Sequence, residues 1–205
     1  MNPHLPDAPP QLAEDTDWAG DELREECGVF GIFSHEDATT LVALGLQALQ
    51  HRGQEAAGIV SSDGEQFYAE RRMGLVSDSF TKPSVMKRLA GNSAIGHVRY
   101  STTGETVLRN VQPLFADLAG GGFALAHNGN LTNAEELGRF IRDDCMRHIN
   151  TTSDSELLLN ALAVELGERT TSLRIQGDPH MNIETVFGAV TAVNERVRGG
   201  YACVS

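Results

Sequence analysis

A cysteine followed directly by glycine opens the apolar run Cys27-Gly28-Val29-Phe30-Gly31-Ile32-Phe33, just after the acidic pair Glu25-Glu26. A cut between Glu26 and Cys27 would put a thiol and a free α-amine on one residue. A thiolate is a strong nucleophile and an α-amine titrates near pH ~7.7–8.0, so such a residue can hold a nucleophile and its base together. A cysteine at the head of a strand is also commonly a small buried hydrophobe. Both readings stand on local evidence.

Three further stretches carry polar residues with no obvious packing use. His51-Arg52-Gly53-Gln54-Glu55 is a charged turn between a helical and an apolar segment. Gly96-His97-Val98-Arg99-Tyr100-Ser101-Thr102 ends a strand-like run in an arginine and a hydroxyl cluster. His127-Asn128-Gly129-Asn130 is followed at a distance by Thr151-Thr152-Ser153-Asp154-Ser155-Glu156. Together with Cys27 these supply the parts needed to cleave a small amide. The Asn128 side chain and the Gly129 backbone N–H can form an oxyanion hole, where one donor is worth roughly 10²–10³ in rate. Arg99 can grip a carboxylate through two parallel hydrogen bonds, which a lysine does less well. Asp154 can hold an ammonium group. A substrate with carboxylate, ammonium and carboxamide is glutamine or asparagine.

Each residue also has a plainer reading. His51-Arg52-Gly53 suits a helix C-terminus with cations on the dipole, and Asp154 suits an acid in a first helical turn. Arg99 suits a surface ion pair, and Asn128-Gly129 a hairpin turn. His97 and His127 read as structural strand residues, and Cys145 and Cys203 as cysteines without a function. Asp143-Asp144 reads as a solvated helix pair, because no glycine-rich phosphate loop follows it.

The elements that must hold these residues follow from periodicity and turn signals. Strands are expected at 27–33, 56–61, 66–71, 93–100 and 123–127, the last halting at Asn128-Gly129-Asn130. Asp63-Gly64 marks a hairpin between the second and third. Helices are expected at 36–50 and 82–89, with capping boxes (Thr132 with Glu135, Ser153 with Glu156) opening two more, to about His148 and about Gly167. Residues 101–112 and 170–182 read as loops. Ile183, Val186, Phe187, Val190, Val193 and Val197 mark an amphipathic helix closed by Gly199-Gly200. Residues 201–205 begin a strand with no partner segment, which suggests a truncated chain. Grouped strands and helices without a βαβ rhythm point to an α+β or layered sandwich.

Composition sets the remaining bounds. A length of 205 residues suits one domain with a tail, and the net charge of −12 argues against a nucleic-acid surface or an anionic membrane as partner. Residues 1–26 carry eight acids against one base and four of the seven prolines, so this segment reads as a disordered acidic leader. Three cysteines in no paired spacing suit a reducing cytoplasm. No secretory signal and no membrane-spanning run is present.

The runs ECGVFGIF, LQHRGQEAAGI, GLVSDSF, AIGHVRYSTTG, LAHNGNLTNAEEL and NTTSDSELLLNAL, in this order, resemble the glutamine phosphoribosylpyrophosphate amidotransferases (amidophosphoribosyltransferases). The resemblance runs from Cys27 to the end. It implies an N-terminal nucleophile hydrolase fold, a four-layer α/β/β/α sandwich, with residues 1–26 as a propeptide and 27–205 as an incomplete class-II glutamine amidotransferase domain. It implies that Cys27 forms a thioester with glutamine, that Asn128 and Gly129 hold the oxyanion, and that Arg99 with the Thr102 region binds the α-carboxylate. Asp154 is implied for the α-ammonium, and Arg52 for ordering the loop over the nucleophile. Ammonia would pass to phosphoribosyl pyrophosphate, giving 5-phosphoribosylamine for purine synthesis. The phosphoribosyltransferase domain of such proteins is absent from this stretch, and Mg²⁺ and any iron–sulfur cluster are expected only with it. A homo-oligomer is expected of the longer protein. The alternatives are a non-catalytic truncated fragment and the glutaminase domain of another class-II enzyme, such as glucosamine-6-phosphate synthase.

Overall fold

The computed structural model describes residues 27–100, 107–118, 121–175 and 181–205, so the leader 1–26 and Thr102 lie outside the described residues. The first half of the chain builds one sheet and its helical cover. Strand β1 (Gly28–Ile32) leads to helix α1 (Ala38–Ala48), a 3₁₀ turn at Gln50–Arg52, then strands β2 (Ala56–Ser62) and β3 (Phe67–Met73). Two single helical turns, α2 (Val76–Ser79) and α3 (Pro83–Met86), precede strand β4 (Ser93–Arg99). The sheet order is β1-β4-β2-β3, with every pair antiparallel.

Alternation assigns the two faces of this sheet. Ala94 and Val98 of β4 pack with Ala38, Val42 and Leu46 of α1, and a Cβ on Gly96 would lie 2.7 Å from both Leu46 and Val42. The intervening residues, Ile95, His97 and Arg99, therefore face away from α1. Strand β2, lying between β3 and β4, is buried along almost its whole length, which explains its unbroken apolar run.

The second half builds the other sheet. Strand β5 (Leu114–Leu118) pairs with the first part of β6 (Gly121–Leu131), and β7 (Gly199–Val204) pairs with the rest. Helix α4 (Ala134–Arg139) continues as a π turn at Phe140–Asp144, followed by α5 (Asp154–Ile175) and α6 (Ile183–Arg196). Leu157, Leu158, Leu162 and Leu166 of α5 pack with Leu114, Leu125, Leu137 and Val193 in one core. Strands β1 and β4 touch β6, and β1 also touches β7, so the two sheets face each other with helices outside both. That is a layered α/β sandwich.

Several expectations need correction. Strand β6 does not stop at Asn128; it runs to Leu131, because β7 pairs with that part. The same pairing gives the 201–205 segment, expected to have no partner, its neighbour in the sheet. Strand β5 was not expected, since a five-residue run containing Asp117 carries a weak signal. The expected Thr132 box is absent: Asn133 takes the start of α4, and its side chain instead bonds the Arg196 carbonyl and the Arg198 N–H at 3.0 Å each. Helix α5 runs past Gly167 through residues expected as loop, where Thr170 and Thr171 donate back to the carbonyls of Leu166 and Gly167. On α6 the stripe is split: Val193 is buried, but Ile183 and Phe187 are 62% and 63% exposed.

Candidate active site

Cys27 sits at the mouth of the first sheet, one residue before β1, with φ of 58°. Two segments hold it. Its N–H donates to the Arg52 carbonyl at 2.8 Å, and Arg52 Nε returns a bond to the Cys27 carbonyl at 2.7 Å. The sulfur lies 3.3 Å from both the N–H and the carbonyl of Tyr100, the residue after β4. The turn carrying Arg52 comes this close because residue 53 is glycine. A Cβ there would fall 2.7–2.8 Å from backbone atoms of Val98 and Arg99. Arg52 is thus a ligand of the Cys27 backbone as well as the basic end of a helical segment.

Arg99 is 4% exposed, so it is no surface ion-pair residue. Its Nη1 donates to the Asn110 carbonyl at 3.0 Å. Asn110 in turn reaches Thr152: Nδ2 donates to the hydroxyl at 2.9 Å, and Oδ1 accepts from the Thr152 N–H at 3.3 Å. Two residues on, Asp154 opens α5, and its Oδ2 accepts from the Leu131 N–H at 3.0 Å. Glu156, itself buried, takes the N–H groups of Asn150 and Thr151. Burial pushes its carboxyl up, but the Asn150 and Thr151 donors outweigh that and hold it below the usual range.

Strand β6 meets this network at His127. The ring Nδ1 lies 2.9 Å from the Ser155 hydroxyl and 4.0 Å from Asp154 Oδ1, so His127 faces α5. Its neighbour Asn128 therefore points the other way, towards the sheet that carries Cys27. Gly129 opposes Tyr201 with φ of 135°, and a Cβ there would fall 2.3 Å from the Gly200 carbonyl oxygen. No other residue fits that conformation and that space. Gln112 ties the two sheets: Oε1 accepts from the His127 N–H at 2.6 Å, while Nε2 is 3.1 Å from the His127 carbonyl, 2.9 Å from Ser155 and 3.5 Å from the His97 Nε2. Burial, then the nearby Arg99 and His127, push the His97 pKa down to about 3. Burial also lowers that of His127, against the pull of Asp154.

The expected site residues thus fall into two linked groups. Cys27, Arg52 and Arg99 gather at the end of the first sheet, while Asn128, Gly129 and Asp154 gather around β6 and the start of α5. Asn110 and Gln112 join the groups, and neither was expected from sequence. The available signal was a pair of amides alternating with valine and ending in proline, Asn110-Val111-Gln112-Pro113, inside a segment read as loop. Asp154 also lines a groove of about 410 Å³ together with Asn130, Leu131, Glu135, Arg142 and Thr152. Burial pushes the thiols of Cys145 and Cys203 up, which suits neither to nucleophilic work.

The family model of the class-II glutamine amidotransferases matches residues 27–195, and this chain belongs to that family. Within it, the similarity is to amidophosphoribosyltransferases. That of Rhizobium etli is 60% identical over 145 residues, covering 70% of this chain and 29% of the relative. That of Escherichia coli is 43% identical over 180 residues, covering 87% and 34%. The solved glutamine phosphoribosylpyrophosphate amidotransferase of B. subtilis, complexed with ADP and GMP, superposes with a TM-score of 0.67 at 35% identity, covering 85% of this chain and 34% of that one. The chain therefore spans about a third of the length of these relatives.

Proposed function

We propose that this chain is the glutamine-hydrolysing unit of an amidophosphoribosyltransferase, active once residues 1–26 are removed. The observation that carries the reading is the double hold on Cys27. Its nitrogen rests on the Arg52 carbonyl and its sulfur rests on the Tyr100 backbone, beside the buried Arg99.

In the reaction the thiol proton passes to the Cys27 α-amine. The sulfur then bonds the carboxamide carbon of glutamine. The carbon–nitrogen bond breaks as the nitrogen takes up that proton and leaves as ammonia. Water attacks the resulting thioester, releasing glutamate and restoring the thiol. Asn128 and the Gly129 N–H stabilise the oxyanion at both steps. Arg99, with Thr102, binds the substrate carboxylate, Asp154 binds its ammonium, and Arg52 keeps the Cys27 backbone in place. The ammonia is passed to phosphoribosyl pyrophosphate, bound by a further domain of the longer, cytoplasmic, homo-oligomeric protein. Mg²⁺ and any iron–sulfur cluster belong with that domain in this reading. Among the described residues no group of three or more His, Cys, Asp or Glu is placed to hold a metal. Among them, too, no helix is long and apolar enough to cross a membrane.

The test is Cys27→Ala. Ammonia release from L-glutamine should vanish, together with covalent labelling by a diazoketone analogue of glutamine. Intact mass of the active parent should show a chain beginning at Cys27. Labelling that survives the substitution sinks the assignment.

A further inference from the structure

We infer that Asn110 is the positioning residue that fixes the spacing between the two grips on the α-amino-acid end of the substrate. The inference rests on the roles of Arg99 and Asp154 given above. These two residues lie on different sheets and different elements, yet recognition of carboxylate and ammonium on one carbon needs them at a fixed separation.

Asn110 is 0% exposed and closes a 3₁₀ turn, Leu108–Asn110. Its backbone carbonyl receives Arg99 Nη1, which anchors one arm of the guanidinium fork. Its side-chain amide both donates to and accepts from Thr152, clamping that residue at two atoms. Glu156 holds Asn150 and Thr151, and Leu131 holds the Asp154 carboxylate, but both of those contacts are confined to the second half of the molecule. Asn110 spans the two halves. A single residue thus touches the carboxylate-binding arginine with its backbone and the ammonium-binding segment with its side chain. Among natural side chains of this length, only an amide offers a donor and an acceptor in one plane. A carboxylate at this position would place a buried negative charge beside Arg99, in competition with the substrate.

Steady-state hydrolysis by the full chain of L-glutamine and of glutaramate, which is glutamine without its α-amine, separates this role from a structural one. In the parent, L-glutamine should be the far better substrate, because glutaramate has no ammonium to meet Asp154. Asn110→Ala should raise KM for L-glutamine about 10–100-fold, with a smaller change in kcat, and should shrink the preference over glutaramate by a similar factor. Thr152→Val keeps the side-chain shape and removes only the hydroxyl that accepts from Asn110. It should move the same ratio in the same direction by about three- to tenfold, and it guards against an alanine variant that fails to fold. A preference left unchanged in both variants, or KM unchanged in both, overturns the inference and leaves the proposed function standing. A parent with no glutaminase activity overturns both.

Discussion

At Arg99 the choice of side chain is set by two tasks at once. One Nη carries a bond to the Asn110 carbonyl, and in the proposed function the same planar fork also meets a carboxylate. A lysine ammonium is a point charge and does one of these well, not both. Arg99→Lys should therefore raise KM for glutamine about 10–100-fold while kcat changes less, measured by initial-rate kinetics. An equal fall in kcat with unchanged KM would place the role of Arg99 in the chemical step instead. Cys27, Arg52, Arg99, Asn128 and Asp154 were legible in the sequence as candidates because each carries a polar group that packing alone does not ask for, and Gly129 as a turn glycine. Asn110 and Gln112 were not, because they bond to backbone atoms and hydroxyls far away in sequence, and no periodicity announces such a contact.

Among elements, strands and helices with strong local signals formed where expected. Strand β2 shows its burial as an apolar run, Asp63-Gly64 lies in the β2–β3 turn, and α6 is capped by Asn182, whose side chain accepts from the Thr185 N–H. Failures came where a distant partner overrode a local signal. Asn128-Gly129 carries the signature of a tight turn, yet β7 captures it as strand and Gly129 supplies the positive φ the pairing needs. Gly129→Ala should force β6 and β7 apart. A loss of about 1–3 kcal/mol in stability is expected, read as a lowered melting temperature with a fall in kcat. An alanine variant that melts with the parent would remove the steric argument.

For the molecule as a whole, the layer between the two sheets is polar at its centre, where the His97 ring, the Gln112 amide and the backbone of His127 meet. The folded pKa of His97 lies well below the ordinary histidine value of 6.5. The neutral ring's contribution to stability is thus complete above about pH 6.5 and is lost as the pH falls towards about 3. His127 shifts in the same direction and adds to the effect. Glu156, lowered from 4.5, begins to contribute its own loss only below that value. Between pH 6.5 and 4.5 the histidines therefore dominate, with a slope of at most about 1.4 kcal/mol per pH unit for each. Melting curves over this range should show stability falling with pH in the parent and a shallower fall in His97→Gln. Parallel slopes would mean that His97 titrates normally.

The backbone of Cys27 has one more consequence. A φ of 58° is a left-handed conformation that costs a non-glycine residue on the order of 1 kcal/mol. That torsion is defined by the carbonyl carbon of residue 26 and ceases to exist when the bond to residue 27 is cut. The fold thus stores a small spring at the one peptide bond whose scission frees the amine. Release of that spring tilts the equilibrium towards the cleaved chain by roughly fivefold, and no reclosure can occur without winding it again.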